Sequence, residues 1–181
     1  LPTHREICNF TATSPGEIMR RAQSHFTIAQ VSDLRACLDH INAHPSGHDF
    51  GFYGGPAVGF HVLTLKRDDL PFTLIAEDHS PDWKSLSVSI LHKILLEQVA
   101  GVPEQGIEDK SMVRYHRDPQ LAVDNVNQSK GNFVFFVSAT RMDQIKAVAG
   151  QGEKMPQKST DFYPKVISGL SMLPLNPNER L

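Results

Sequence analysis

The longest apolar run in this chain is Phe133-Val134-Phe135-Phe136-Val137. Such a run is too short to cross a bilayer, which takes about 20 apolar residues as a helix. It has the right length for a strand buried on both faces. The core must therefore be assembled from many short elements. With 40% hydrophobic and 21% charged residues, the chain has enough apolar surface to bury and is not a disordered tail.

Strand and helix signals alternate along the sequence. Residues 5–10 alternate as a weak strand. Ser14-Pro15-Gly16-Glu17 puts Ser at N-cap, Pro at N1 and Glu at N3, which predicts a helix to about residue 24. A β-branched strand at 26–31 follows. Ser32-Asp33 then opens a helix in which Leu34, Cys37, Leu38 and Ile41 share one face. Strands at 49–53 and 58–66 flank Gly54-Gly55-Pro56, which is hairpin chemistry. Residues 67–81 read as a charged connector without periodicity and as the one plausible boundary between two sub-parts. A long helix is predicted at 83–100, stopped by Gly101. Beyond it come a strand at 112–116, a helix opened by Asp118-Pro119 and running to about 128, and a strand at 132–138. A helix at 140–149 and a last strand at 165–173 complete the pattern. The expected fold is α+β: a mixed sheet with helices packed on it and at least one β-hairpin.

A net charge of -2 and a pI near 6.5 argue against a nucleic-acid partner, because phosphate contacts need a surplus of Lys and Arg. Phe133, Phe135 and Phe136 read as core strand residues rather than as a stacking platform for bases. The two cysteines, Cys8 and Cys37, form no CxxC and sit at apolar positions, so they read as reduced, buried and structural. No signal peptide is evident, and the expected location is cytoplasmic. The chain opens on Leu1 rather than Met, which reads as a piece of a longer protein.

The chemistry concentrates at residues 152–165. Gly and Pro mark this stretch as a loop, and it carries Lys154, Lys158, Ser159, Thr160, Tyr163 and Lys165. Ammonium groups, hydroxyls, a phenol and free backbone N–H groups suit a bound anion. The stretch is not a P-loop, because GxxxxGK[ST] is absent. The bland alternative is an ordered loop whose hydroxyls satisfy turn backbone and whose aromatics plug the core. His4 and Arg5 form a second anion-binding candidate. As strand neighbours they point to opposite faces, and the bland reading there is a surface strand edge. His40, His44 and His48 begin with i, i+4 spacing. No carboxylate accompanies the pair in a familiar pattern and HExxH is absent, so no metal is assigned. His92 reads as a buried, hydrogen-bonded helix residue. No GxSxG supports a nucleophilic serine.

Several motifs occur in a recognisable order. They are Pro2-Thr3-His4-Arg5, Leu86-Ser87-Val88-Ser89-Ile90-Leu91-His92, Val113-Arg114-Tyr115-His116-Arg117-Asp118, Met155-Pro156-Gln157-Lys158-Ser159-Thr160, Phe162-Tyr163-Pro164-Lys165 and Ser168-Gly169-Leu170. In this order the chain closely resembles the C-terminal half of a large, uncharacterised, mainly bacterial family, the domain of unknown function numbered ten-fifteen. Members are about twice this long. Their upstream half typically carries Ala-Asp-Gly-His-His-Arg, which looks like the Gly-His-Arg element of ParB- and sulfiredoxin-type nucleotide-binding domains, some of which phosphorylate free serine. Two positions depart from the family pattern: Asp161 stands where an aromatic residue is usual, and Ser87 where Asp is usual.

The resemblance implies the accessory half of a phosphate- or nucleotide-handling protein. ATP or another phosphate-containing ligand would be the cofactor, a small phosphorylated molecule and the N-terminal half of the same protein the partners, and any phosphotransferase activity would require that half. The alternative is a non-catalytic module that binds a metabolite or a protein.

Overall fold

The computed structural model describes residues 1–44 and 48–161. The predicted strand at 165–173, with Tyr163 and Lys165, lies outside them. The described elements, in order, are β1 (His4–Ile7), α1 (Pro15–Ala22), β2 (Phe26–Val31), α2 (Leu34–Ala43), β3 (Asp49–Tyr53), β4 (Phe60–Leu65), α3 (Leu70–Leu74), α4 (Pro81–Lys84), α5 (Ser87–Ile90), α6 (Glu104–Glu108), β5 (Val113–His116), α7 (Pro119–Asn127), β6 (Phe133–Phe136) and α8 (Met142–Gly150). Between α5 and α6 the helix continues without a break as a π-helical segment, Leu91–Ala100.

Side-chain caps set four of the helix starts. Ser14 accepts from the Glu17 N–H, Asp33 from Ala36, Ser80 from Trp83 and Asp118 from Gln120, each satisfying an orphan donor of a first turn. Gly101, at φ 78°, stops the π-helical segment in the left-handed region that glycine tolerates best.

Among the described residues six strands form one sheet in the order β2-β4-β3-β6-β1-β5. Every pairing is antiparallel, which corrects the expected mixed sheet. The α+β class and the β3–β4 hairpin stand. The alternation of helices and strands reflects two split β-α-β units. In the first, β2 and β3 flank β4 and α2 links them. In the second, β5 and β6 flank β1 and α7 links them. The linked strands run parallel, but each pair is separated by a strand running the other way. A helical crossover reports strand direction and not hydrogen-bonded neighbours.

The sheet is covered on both faces. On one, Ile7, Phe50, Phe52, Leu63, Phe133 and Phe135 pack against α1, α5 and the π-helical segment. On the other, Val62, Val134 and Phe136 pack against α2 and α7 through Cys37, Ile41, Ala122, Val123 and Val126. Strand residues alternate between the two layers, as the pleat requires. Phe133, Phe135 and Phe136 are fully buried, each worth about 1.5–3 kcal/mol by transfer from water. Cys8 and Cys37 are buried and free.

Two expectations fail locally. Residues 67–81 are not featureless, since α3 forms there. The predicted helix at 83–100 is interrupted: Leu86 takes an extended backbone (φ -64°, ψ 133°) between α4 and α5. Its side chain is buried, so core packing turns the chain where periodicity predicts continuity. Among the described residues no helix is long and apolar enough to cross a membrane.

Candidate functional site

Strand β1 is interior, between β6 and β5, and not the surface edge that its polar sequence suggests. His4, Arg5 and Glu6 are all buried. A polar group taken from water needs partners, and each of the three finds them differently. Glu6 accepts from Arg114 Nη1 (2.8 Å) and Asn125 Nδ2 (2.7 Å) and lies 2.7 Å from His116 Nε2. His4, on the same face, packs edge-on against Phe136 and receives a long bond from the Val137 N–H (3.4 Å). Burial, helped by the Arg5 and His116 charges, lowers its pKa to about 4, so His4 is neutral at pH 7.

Arg5 points to the opposite face, as pleat geometry requires. Its guanidinium donates to His92 Nε2 (3.2 Å), to the Lys158 carbonyl (3.1 Å) and to the Thr3 carbonyl, and it lies 5.4 Å from the Tyr115 ring centroid. Among the described residues no carboxylate pairs with it. Burial lowers its pKa to about 10. Among the described residues its acceptors are all neutral, and they leave the buried positive charge uncompensated.

Arg5 fastens the 153–161 strap, whose other anchors lie along its length. Glu153 accepts from the Ser80 N–H and hydroxyl and meets His79, and the Lys154 carbonyl accepts from the Trp83 indole. The Ser159 carbonyl accepts from Thr140 Oγ1, and Asp161 accepts from Arg117. Between strap and sheet lies a cavity of about 260 Å³ lined by Thr3, Tyr115, Arg117, Lys158, Thr160 and Asp161. Lys158 is exposed and takes a left-handed φ of 54°, and no partner of its ammonium is found among the described residues. Ser159 is buried beside it.

The structure thus brings Arg5, Lys158, Ser159 and Thr160 to one place and leaves His4 on the far face of the sheet. The sequence reading missed Thr3, Tyr115 and Arg117 as lining residues. The only available signal was the order of their motifs, since nothing local marks them.

A second, larger cavity of about 490 Å³ opens over the π-helical segment. Its wall carries Lys93, bound to Glu77 (2.8 Å), Glu97 (3.1 Å) and Glu104 (2.5 Å). Burial acts to lower the Lys93 pKa, but its bonds to Glu104, Glu77 and Glu97 outweigh that and raise it. His92 and the fully buried Ser89 hydroxyl, which has no partner among the described residues, also line this cavity. Because His92 Nε2 accepts from Arg5, a neutral ring carries its proton on Nδ1. Desolvation and the Arg5 charge hold the ring well below its usual pKa. The expected buried, hydrogen-bonded His92 is what the fold contains. π-Helical turns often accompany functional sites, and this one carries His92, Lys93 and Glu97 to the cavity wall.

The trio His40, His44 and His48 divides. His48 lines a separate pocket together with Asp82 and Arg141, whereas His40 and His44 gather around Asp49. The carboxylate that the sequence did not associate with the pair is supplied by the first residue of β3. Comparison with protein-family models, with curated proteins and with solved structures yields no match.

Proposed function

We propose that this chain holds the phosphate of a small molecule between β5 and the 153–161 strap, as the accessory half of a phosphate- or nucleotide-handling protein of the family numbered ten-fifteen. The observation that carries this reading is Arg5: a buried guanidinium with no carboxylate partner among the described residues, directly behind the Lys158 carbonyl. A bound anion supplies the missing negative charge. Lys158 offers an ammonium without a partner among the described residues, Thr160 a hydroxyl and Tyr115 a phenol around the 260 Å³ cavity. Asp161 engages Arg117, so its charge is taken up by that pair. A phosphotransferase step is assigned to the longer protein and not to this chain alone.

The alternative, a non-catalytic metabolite-binding module, draws support from the larger cavity over the π-helical segment. Its volume falls within the range of small-molecule sites. Its three carboxylates around a single ammonium disfavour a phosphate there.

The test is thermal unfolding of the chain with inorganic phosphate, pyrophosphate, ADP and ATP, repeated on Lys158→Ala. A ligand at 100 times its Kd adds about 2.7 kcal/mol, which for a chain of this size moves Tm by roughly 5–10 °C. The expected result is a shift in the wild type that shrinks in Lys158→Ala. No shift with any of the four ligands refutes the reading.

A further inference from the structure

We propose that His40, His44 and Asp49 form a binding site for a divalent transition ion, with Zn²⁺ the best fit. His40 lies on the last turn of α2 and His44 is its C-cap. The i, i+4 spacing brings the two rings to a centroid distance of 5.5 Å on one side of the helix. Asp49 opens β3 and is 6% exposed. Its Oδ1 is held by the Thr64 hydroxyl from the neighbouring strand β4. Its Oδ2 faces His44 Nδ1 at 3.6 Å and His40 Nε2 at 3.8 Å.

Those two distances carry the inference. They exceed the roughly 2.7–3.2 Å of an N–H···O hydrogen bond. Oδ2 has no other protein partner among the described residues, so a buried carboxylate oxygen is aimed at two imidazole nitrogens it does not bond. Around a tetrahedral zinc with bonds of about 2.0–2.2 Å, ligand atoms stand about 3.3–3.5 Å apart. The observed gap is therefore close to the edge of a zinc tetrahedron, and the three ligand atoms lie within 4.8 Å of one another.

Two further features agree. The Thr64 hydroxyl orients the carboxylate from behind, the role second-shell groups play at metal sites. The site also caps the C-terminal end of α2, where the helix dipole favours a cation. Two imidazoles and one carboxylate make a borderline nitrogen–oxygen donor set that suits zinc better than calcium or magnesium. Three protein ligands leave the fourth position to water or an exogenous ligand. None of these groups belongs to the proposed phosphate site, so the two proposals stand or fall separately.

The experiment is equilibrium dialysis of the full chain against Zn²⁺, with the Co²⁺ complex used to read coordination geometry from its visible spectrum. One zinc per chain and a tetrahedral cobalt spectrum are expected. His40→Gln and His44→Gln, both at exposed positions that leave the core untouched, should each weaken binding at least tenfold. Thr64→Val should weaken it about 10–100-fold through the lost support of Asp49. Glu104→Gln, in the separate cluster around Lys93, should leave binding unchanged. The proposal is overturned if the wild type binds no stoichiometric zinc, or if both histidine variants bind it as the wild type does.

Discussion

Buried histidine makes this fold acid-sensitive in a way that one substitution can isolate. His4 is 2% exposed and its pKa in the fold is about 4 against an ordinary 6.5. The cause is first desolvation, then the Arg5 and His116 charges, with Asp118 opposing. Between those two pH values the unfolded chain binds a proton that the folded chain refuses. Stability therefore falls as pH drops through that window and levels off below it. At 1.36 kcal/mol per pKa unit, His4 alone removes about 2 kcal/mol by pH 5 and about 3 kcal/mol by pH 4, relative to neutral pH. His92 acts in the same direction, and surface carboxylates add their own slopes. A difference measurement removes both: urea unfolding at a series of pH values on the wild type and on His4→Asn, whose side-chain oxygen can replace Nδ1 as the acceptor for the Val137 N–H. The two stability curves should lie apart by a constant amount above pH 6.5 and change their separation by about 3 kcal/mol on the way to pH 4. Parallel curves across the whole range would refute the claim that His4 is held neutral by burial.

Two further outcomes follow from the core. Glu6→Ala removes a fully buried carboxylate that holds Arg114, His116 and Asn125, and should destabilise by about 3 kcal/mol in urea titration, whereas a loss under about 1 kcal/mol would show that the network contributes little. Gly51→Ala drives a methyl into Cys37 Sγ and to 3.0 Å from Phe136 Cβ. It should cost about 1–3 kcal/mol by overpacking, and combining it with Cys37→Ala should recover part of that loss as a measurable coupling.

The local structure was largely legible because its causes are local. Ser14, Asp33 and Asp118 cap the helices they were expected to cap, Gly101 stops its helix, and Gly54-Gly55 lies in the β3–β4 connection. The apolar run at 133–137 supplies a strand buried on both faces because a residue pair such as Phe135 and Phe136 admits no other arrangement in a pleated backbone. The buried state of Cys8 and Cys37 follows from the same apolar periodicity.

What the tertiary structure decided is pairing and partnership. Sequence alternation carries strand direction, yet whether two parallel strands are neighbours depends on whether a third, distant in the chain, inserts between them. Here β4 and β1 do so, and every pairing among the described strands becomes antiparallel. The same holds for Thr3-His4-Arg5, whose polarity suggests an edge. Interior placement is tolerated because Glu6 finds Arg114, His116 and Asn125, while Arg5 finds His92 and the strap across more than 80 residues of chain. Asp49 completes a donor set with His40 and His44 only because β3 returns past the end of α2. Caps and periodicity are properties of a few consecutive residues and can be read directly. A buried charge and its partners are joined only by folding, so their contacts appear only in three dimensions.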